Sequence, residues 1–210
     1  MDKALFISIE GCDGSGKTTA LNAVYQRLVS QGYDVVRSRE PGGSAIAEQI
    51  RRVILDPANT AEDVRTEALL YAASRRQHLI EVVLPALKAG HTVLCDRFID
   101  SSLAYQGFAR GIGIDAVMQV NQFAIEGRMP DRTIYFDIDP AVGLRRLAGR
   151  SALDRLDQEK LAFHQKVHQG YAQIIAADPG RFIIIDAAPA PAAVAQAAYQ
   201  AIAGLLEHHV

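Results

Sequence analysis

Gly11-Cys12-Asp13-Gly14-Ser15-Gly16-Lys17-Thr18 stands between a short apolar run, Leu5-Phe6-Ile7-Ser8-Ile9, and a stretch in which Leu21, Val24, Tyr25 and Leu28 recur at helical spacing until Gly32. A strand, a loop of G-x-x-x-x-G-K-T spacing and a helix, in that order, form the context in which this motif cradles phosphate. Successive backbone N–H groups turn inward toward the anion, and the following helix adds positive potential at its N-terminus. Lys17 then reaches the β and γ phosphates, and Thr18 offers a hydroxyl to Mg²⁺.

Outward from this loop, strand-like and helix-like stretches alternate. Strands are expected at Leu5–Ile9, Asp34–Ser38, Thr92–Cys95, Thr133–Ile138 and Phe182–Ile185, with helices near 17–31, 44–55, 64–88, 115–126, 140–148, 157–177 and 191–206. This is the pattern of an α/β protein with a five-stranded parallel sheet flanked by helices. The 210 residues, 49% of them hydrophobic, are uninterrupted by a Pro/Gly/Ser-rich linker, so one domain over 1–210 is expected.

A formal charge of −2 argues against general nucleic-acid binding, which normally leaves a strongly basic face. Seventeen of the 22 basic residues are arginine, whose planar fork suits phosphate, although a GC-rich coding sequence leaves the same excess. Two cysteines, no leader-like start and no long apolar run lead to the expectation of a reduced, cytoplasmic protein with no membrane association.

Ligands on such sheets collect beyond the carboxyl ends of the strands. There the chain places the phosphate loop, then Arg39-Glu40-Pro41-Gly42-Gly43, then Asp96-Arg97. Asp96 can hold Mg²⁺ through water while Arg97 pairs with phosphate; a plain strand-end salt bridge fits the same residues. Arg145, Arg146, Arg150 and Arg155 fall in a helix end and connecting segment, about 144–156. They fit either a solvated loop or the mobile, water-excluding lid that phosphoryl transfer calls for. Tyr71 and Arg75 are four apart, on one helical face, where they suit a nucleobase site or equally an ordinary core tyrosine and a surface charge.

Taken together, these residues resemble the thymidylate kinase family along essentially the full chain. The resemblance rests on the ordered set Glu10 to Thr19, Arg39 to Gly43, Asp96-Arg97-Phe98, Ser101 to Gly107 and Leu153-Asp154-Arg155-Leu156-Asp157. It implies a P-loop nucleoside monophosphate kinase fold and ATP-dependent phosphorylation of dTMP to dTDP with Mg²⁺. It further implies ATP on Gly11, Cys12, Asp13, Gly14, Ser15, Gly16, Lys17, Thr18 and Thr19, with Thr18 and Asp96 toward the metal.

For dTMP the resemblance implies Asp13 near the sugar, Glu40, Arg51 on the phosphate, Tyr71 stacked on thymine, Arg75 at a thymine carbonyl and Arg97 between donor and acceptor phosphates. Ser102 and Gln106 then line the base, and Tyr105 crowds C2′ against ribonucleotides. Lys17, Arg97 and Asp13 carry the chemistry. Because Gly14 stands where some members keep a loop arginine, Arg150 and Arg155 of the lid are expected to supply that charge. A homodimer packed through the long third helix is also implied. The competing readings are a kinase for another nucleotide and, from a different class, a P-loop ATPase or switch; the Asn-Lys-x-Asp guanine motif of GTPases does not occur in the sequence.

Overall fold

The computed structural model describes residues 4–147 and 154–207. Its centre is a parallel sheet of β1 (Phe6–Gly11), β2 (Val35–Arg39), β3 (Thr92–Asp96), β4 (Arg132–Asp137) and β5 (Phe182–Asp186), in the order β2-β3-β1-β4-β5. Every residue of β1 is buried, Ser8 and Glu10 included, as befits a central strand covered on both faces. The register pairs Phe6 with Val93 and Ile7 with Arg132, which brings the ends of β1 and β3 level with each other.

Side chains alternate between two cores, following the two-residue period of a strand. Ile7, Ile9, Leu94, Ile134 and Phe136 pack on α1 (Lys17–Ser30) and α9 (Pro191–Glu207). Phe6, Val93, Cys95 and Tyr135 belong to the other core. That layer is built from α2 (Ala45–Leu55), α3 (Val64–His78), α4 (Leu84–Lys88), α5 (Ile99–Ser102), α6 (Ile114–Ile125) and α8 (Leu161–Ala177); α7 (Pro140–Leu147) follows β4. Gly32 does end α1: its N–H reaches Val29 O at 3.0 Å and Tyr33 N–H reaches Leu28 O at 3.1 Å, the paired bonds of a left-handed helix stop.

Two elements depart from expectation. The helix expected over 64–88 widens into a π turn at Leu79–Val83, where Leu84 N–H bonds Leu79 O. Pro85, next in line, has no N–H to donate and its ring crowds the carbonyl of residue 81. The second is an unexpected helix, α5, continued by a π segment at Leu103–Ala109. Nearly all of it is buried, so no polar face betrays a helical period. No helix among the described residues is long and apolar enough to cross a membrane.

Candidate active site

The phosphate loop leaves β1 through Gly11 (φ +144°) and turns at Gly14 (φ +75°). A Cβ at Gly14 would lie 2.0 Å from the carbonyl oxygen of Gly143 in α7, and one at Gly11 would lie 2.5 Å from Phe136 O. Both glycines are therefore demanded by backbone meeting backbone. The first contact also shows why this chain keeps no side chain at position 14: α7 occupies that space.

Lys17 folds back over the loop, its Nζ donating to Gly11 O at 2.8 Å and Cys12 O at 3.0 Å. Burial, and next the nearby Arg97 charge, pull its ammonium down to about 8. A phosphate arriving in the loop reverses that pull by supplying negative charge. Thr18 Oγ1 donates to Asp96 Oδ2 at 2.8 Å across the β1–β3 edge. A hydroxyl and a carboxylate beside a phosphate loop form the hard oxygen donor set that Mg²⁺ takes when phosphates and water complete its shell. Thr18 and Asp96 thus fit the ion.

Beyond the loop, a cleft runs between Gly14, Thr19, Arg146, Pro189 and Val194. Arg146 is fixed there by donating to Ala187 O at 3.0 Å and Ala188 O at 3.1 Å. The segment after β5 forms a wall of this cleft through Ala187 and Pro189. The orienting role of Arg146 had no signal of its own in the sequence, because any of four arginines nearby could have held it.

On the opposite side lies a second cleft, floored by Tyr71 and Leu55 and ringed by Glu40, Arg51, Tyr105 and Gln106. A groove lined by Lys17, Thr18, Arg39, Arg51, Asp96 and Arg97 joins the loop to this cleft. Arg97 stands at the junction in a left-handed backbone conformation, φ +70°, which is uncommon for a side chain of this size and typical of functional positions. It donates to Gly11 O at 3.1 Å, Ser101 Oγ at 3.0 Å, Tyr105 OH at 3.2 Å and the Asp13 carboxylate. Tyr105 OH also donates to Asp13 Oδ2 at 2.6 Å. Burial alone would raise the Asp13 carboxyl, but Arg97 and then Lys17 outweigh it and hold the group at about 2.

Beneath Arg97 lies Glu10, fully buried, which accepts from Phe98 N at 2.7 Å, Ser101 Oγ at 2.6 Å and Tyr171 OH at 2.8 Å. Burial, and next Asp100, push it up to about 7. Ser101, Tyr171 and Glu10 are a support for Arg97 that sequence reasoning missed, since they come from three distant elements.

Three expected residues behave differently. Arg75 is 1% exposed and held behind the cleft by Glu40 Oε2 at 2.7 Å, Ser102 Oγ at 3.0 Å, Phe98 O at 3.0 Å and Asn121. Ser102 sits in the same buried layer rather than on the cleft surface. Arg155 turns away from the phosphate loop and pairs with Glu62 and with Glu67, the latter at 2.6 Å, while its Nε donates to Ile54 O at 3.0 Å. Delivering its charge to the phosphates requires breaking both ion pairs. Arg150 lies outside the described residues.

A phosphate loop, a Thr–Asp pair that fits a metal and two clefts meeting at a half-buried arginine define a P-loop nucleoside monophosphate kinase. Comparison with known proteins gives the same result in finer detail. The family model described as thymidylate kinase matches residues 9–198. The thymidylate kinase of Halalkalibacterium halodurans is 60% identical over 189 residues, 89% of this chain and 90% of that protein. That of a Geobacillus species is 57% identical over 187 residues, 88% and 89% of the two chains. A crystal structure of thymidylate kinase from Ehrlichia chaffeensis superposes with a TM-score of 0.74 at 31% identity, covering 95% of this chain and 98% of that one. The chain belongs to the thymidylate kinase family.

Proposed function

We propose that this protein is an ATP:dTMP phosphotransferase, working as a single P-loop kinase unit whose loop cleft binds the donor and whose opposite cleft binds the acceptor. The observation that carries the reading is the groove through which the two clefts meet at Lys17, Asp13 and Arg97. Phosphoryl transfer is chiefly a matter of aligning the reacting oxygens and neutralising charge on the moving group.

In this reading the loop N–H groups and Lys17 grip the donor phosphates, and Arg146 with Pro189 encloses the donor base. When bound, Mg²⁺ supplies charge neutralisation between the donor phosphates, held from the protein side by Thr18 and Asp96. Arg51, already in the groove and donating to Pro41 O at 2.8 Å, anchors the acceptor phosphate. Tyr71 stacks on thymine. Asp13 meets the sugar, and Tyr105, pinned against Asp13, crowds its C2′ face. Arg97 switches from loop and Asp13 contacts to the phosphates that face each other across the groove.

The lid closes over these groups to keep water out, with Arg150 and Arg155 as its charged residues. Arg75 reaches the thymine carbonyl with the N–H that Glu40, Ser102, Asn121 and Phe98 leave over. Self-association as a homodimer is supported by apolar side chains left in solvent on the helical layer, Leu69 at 57% and Phe123 at 89% exposure. The cytoplasm suits the two free, buried cysteines.

The test is a direct acceptor screen with ATP and Mg²⁺, offering dTMP, dUMP, UMP, CMP and AMP. Preference for dTMP is expected. Preference for any other acceptor overturns the substrate, and rapid ATP hydrolysis with no acceptor present points instead to an ATPase or switch.

A further inference from the structure

Gln106 reaches into the acceptor cleft from the buried π segment, and its amide nitrogen donates to Glu67 Oε1 at 2.8 Å. Which end of an amide is nitrogen is ordinarily settled by its neighbours. Here the neighbour leaves no choice. Glu67 is 1% exposed, and its other oxygen, Oε2, accepts from Arg155 at 2.6 Å and from Arg110 at 3.3 Å. A carboxylate held by two guanidiniums offers acceptors alone, so the nitrogen of Gln106 has to be the end turned toward it. The carbonyl end, Oε1, is then the one presented to the cleft.

We infer that Glu67 is a specificity-determining positioning residue: it locks the Gln106 amide so that the acceptor cleft shows the base a hydrogen-bond acceptor, and through Arg155 it ties that lock to the lid stub. The inference rests on the reading of this cleft as the acceptor-base site. Thymine carries a single base donor, N3–H, between two carbonyls, so an acceptor aimed at that edge can meet N3–H alone. Cytosine has a lone pair at N3 and sets acceptor against acceptor. Sites built to pair one buried polar group discriminate strongly against an analogue that leaves it unpaired.

The opposite oxygen of the same carboxylate faces the lid side of the cleft. Arg155 pairs with Glu67 and Glu62, and Asp154 and Leu156, its neighbours in the chain, line the acceptor cleft. Arg110 closes the network onto Glu159. One carboxylate therefore orients the base-reading amide with Oε1 and seats the cleft wall with Oε2.

Glu67→Gln tests the lock, because an amide at 67 can donate as well as accept and so frees Gln106 to turn over. The quantity to read is the ratio of kcat/KM for dTMP to that for dCMP. Glu67→Gln is expected to lower it by about tenfold or more, through weaker dTMP use together with improved dCMP use. Arg155→Met removes the lid tie and keeps the Glu67–Gln106 bond, so it should alter turnover and leave the ratio within about twofold. An unchanged ratio in Glu67→Gln, or an equal collapse of the ratio in Arg155→Met, overturns the inference.

Should Glu67→Gln prove unfolded in urea titrations, the wild-type protein carries the test with N3-methyl-dTMP, which has lost the donor. Binding at least about tenfold weaker than dTMP is expected, and equal binding overturns the lock. Absence of dTMP turnover in the wild type marks failure of the functional reading itself.

Discussion

The donor and acceptor sides of this groove are built by opposite means. The donor side is a turn of backbone: a Cβ at Gly11 would lie 2.5 Å from Phe136 O and one at Gly14 2.0 Å from Gly143 O, so the loop stays bare, with its N–H groups free to cradle phosphate. The acceptor side is a ring of side chains drawn from α2, α3, the π segment and the lid stub, several of them held by partners far away in sequence. Glu67 meets Gln106 39 residues on and Arg155 88 residues on. A backbone site depends on local spacing, whereas a side-chain site depends on how helices are packed.

That contrast can be put to experiment. The largest effect is expected on the donor side, where Lys17→Ala should lower kcat between about a hundredfold and a thousandfold while dTMP affinity, read by calorimetry, moves little. A loss below tenfold would place the charge that matters elsewhere in the groove. On the acceptor side Arg155→Met should destabilise the fold by about 2 kcal/mol in urea titrations, a figure between the ranges for exposed and fully buried ion pairs because its guanidinium is 13% exposed. Unaltered stability would mean that Arg155 is free in solution to serve the phosphates.

Arg51→Ala should raise KM for dTMP about tenfold with a smaller change in kcat, as loss of a charged phosphate contact does when it acts in the ground state as well. Tyr105→Ala should narrow the preference for dTMP over a ribonucleotide acceptor about fivefold. An identical preference in the variant would remove Tyr105 as the sugar gate.

The smallest effect concerns stability and pH under Arg97. Glu10, raised to about 7 from an ordinary 4.5, keeps a proton in the folded state that the unfolded chain releases. Stability from this group is thus fully present below about 4.5 and is lost as pH rises through about 7. Asp13 runs the other way: depressed to about 2, it stabilises above its ordinary 3.8 and loses that contribution as pH falls. Glu10→Gln should flatten the decline in thermal stability between about pH 4.5 and 7, and a slope equal to that of the wild type would assign the decline to other groups.

Much of this was legible beforehand. All five strands stand within two residues of where alternation of apolar runs put them, and the loop, Asp96 and Arg97 follow at strand ends as doubly wound sheets require. The α5 and π segment escaped because its residues are buried on every side, leaving no apolar stripe to read. The ion pairs of Arg155 escaped because nothing in its neighbourhood names Glu62 or Glu67 as partners.

Spacing alone determined the phosphate loop and the parallel sheet, because backbone turns and strand periods are written in consecutive residues, while the family was legible only as a resemblance of ordered motifs. Tertiary packing decided which arginines face the groove and which are tied to carboxylates, and which end of Gln106 faces Glu67. Those outcomes depend on side chains from distant elements meeting in a buried, low-dielectric layer, where each donor has to find an acceptor.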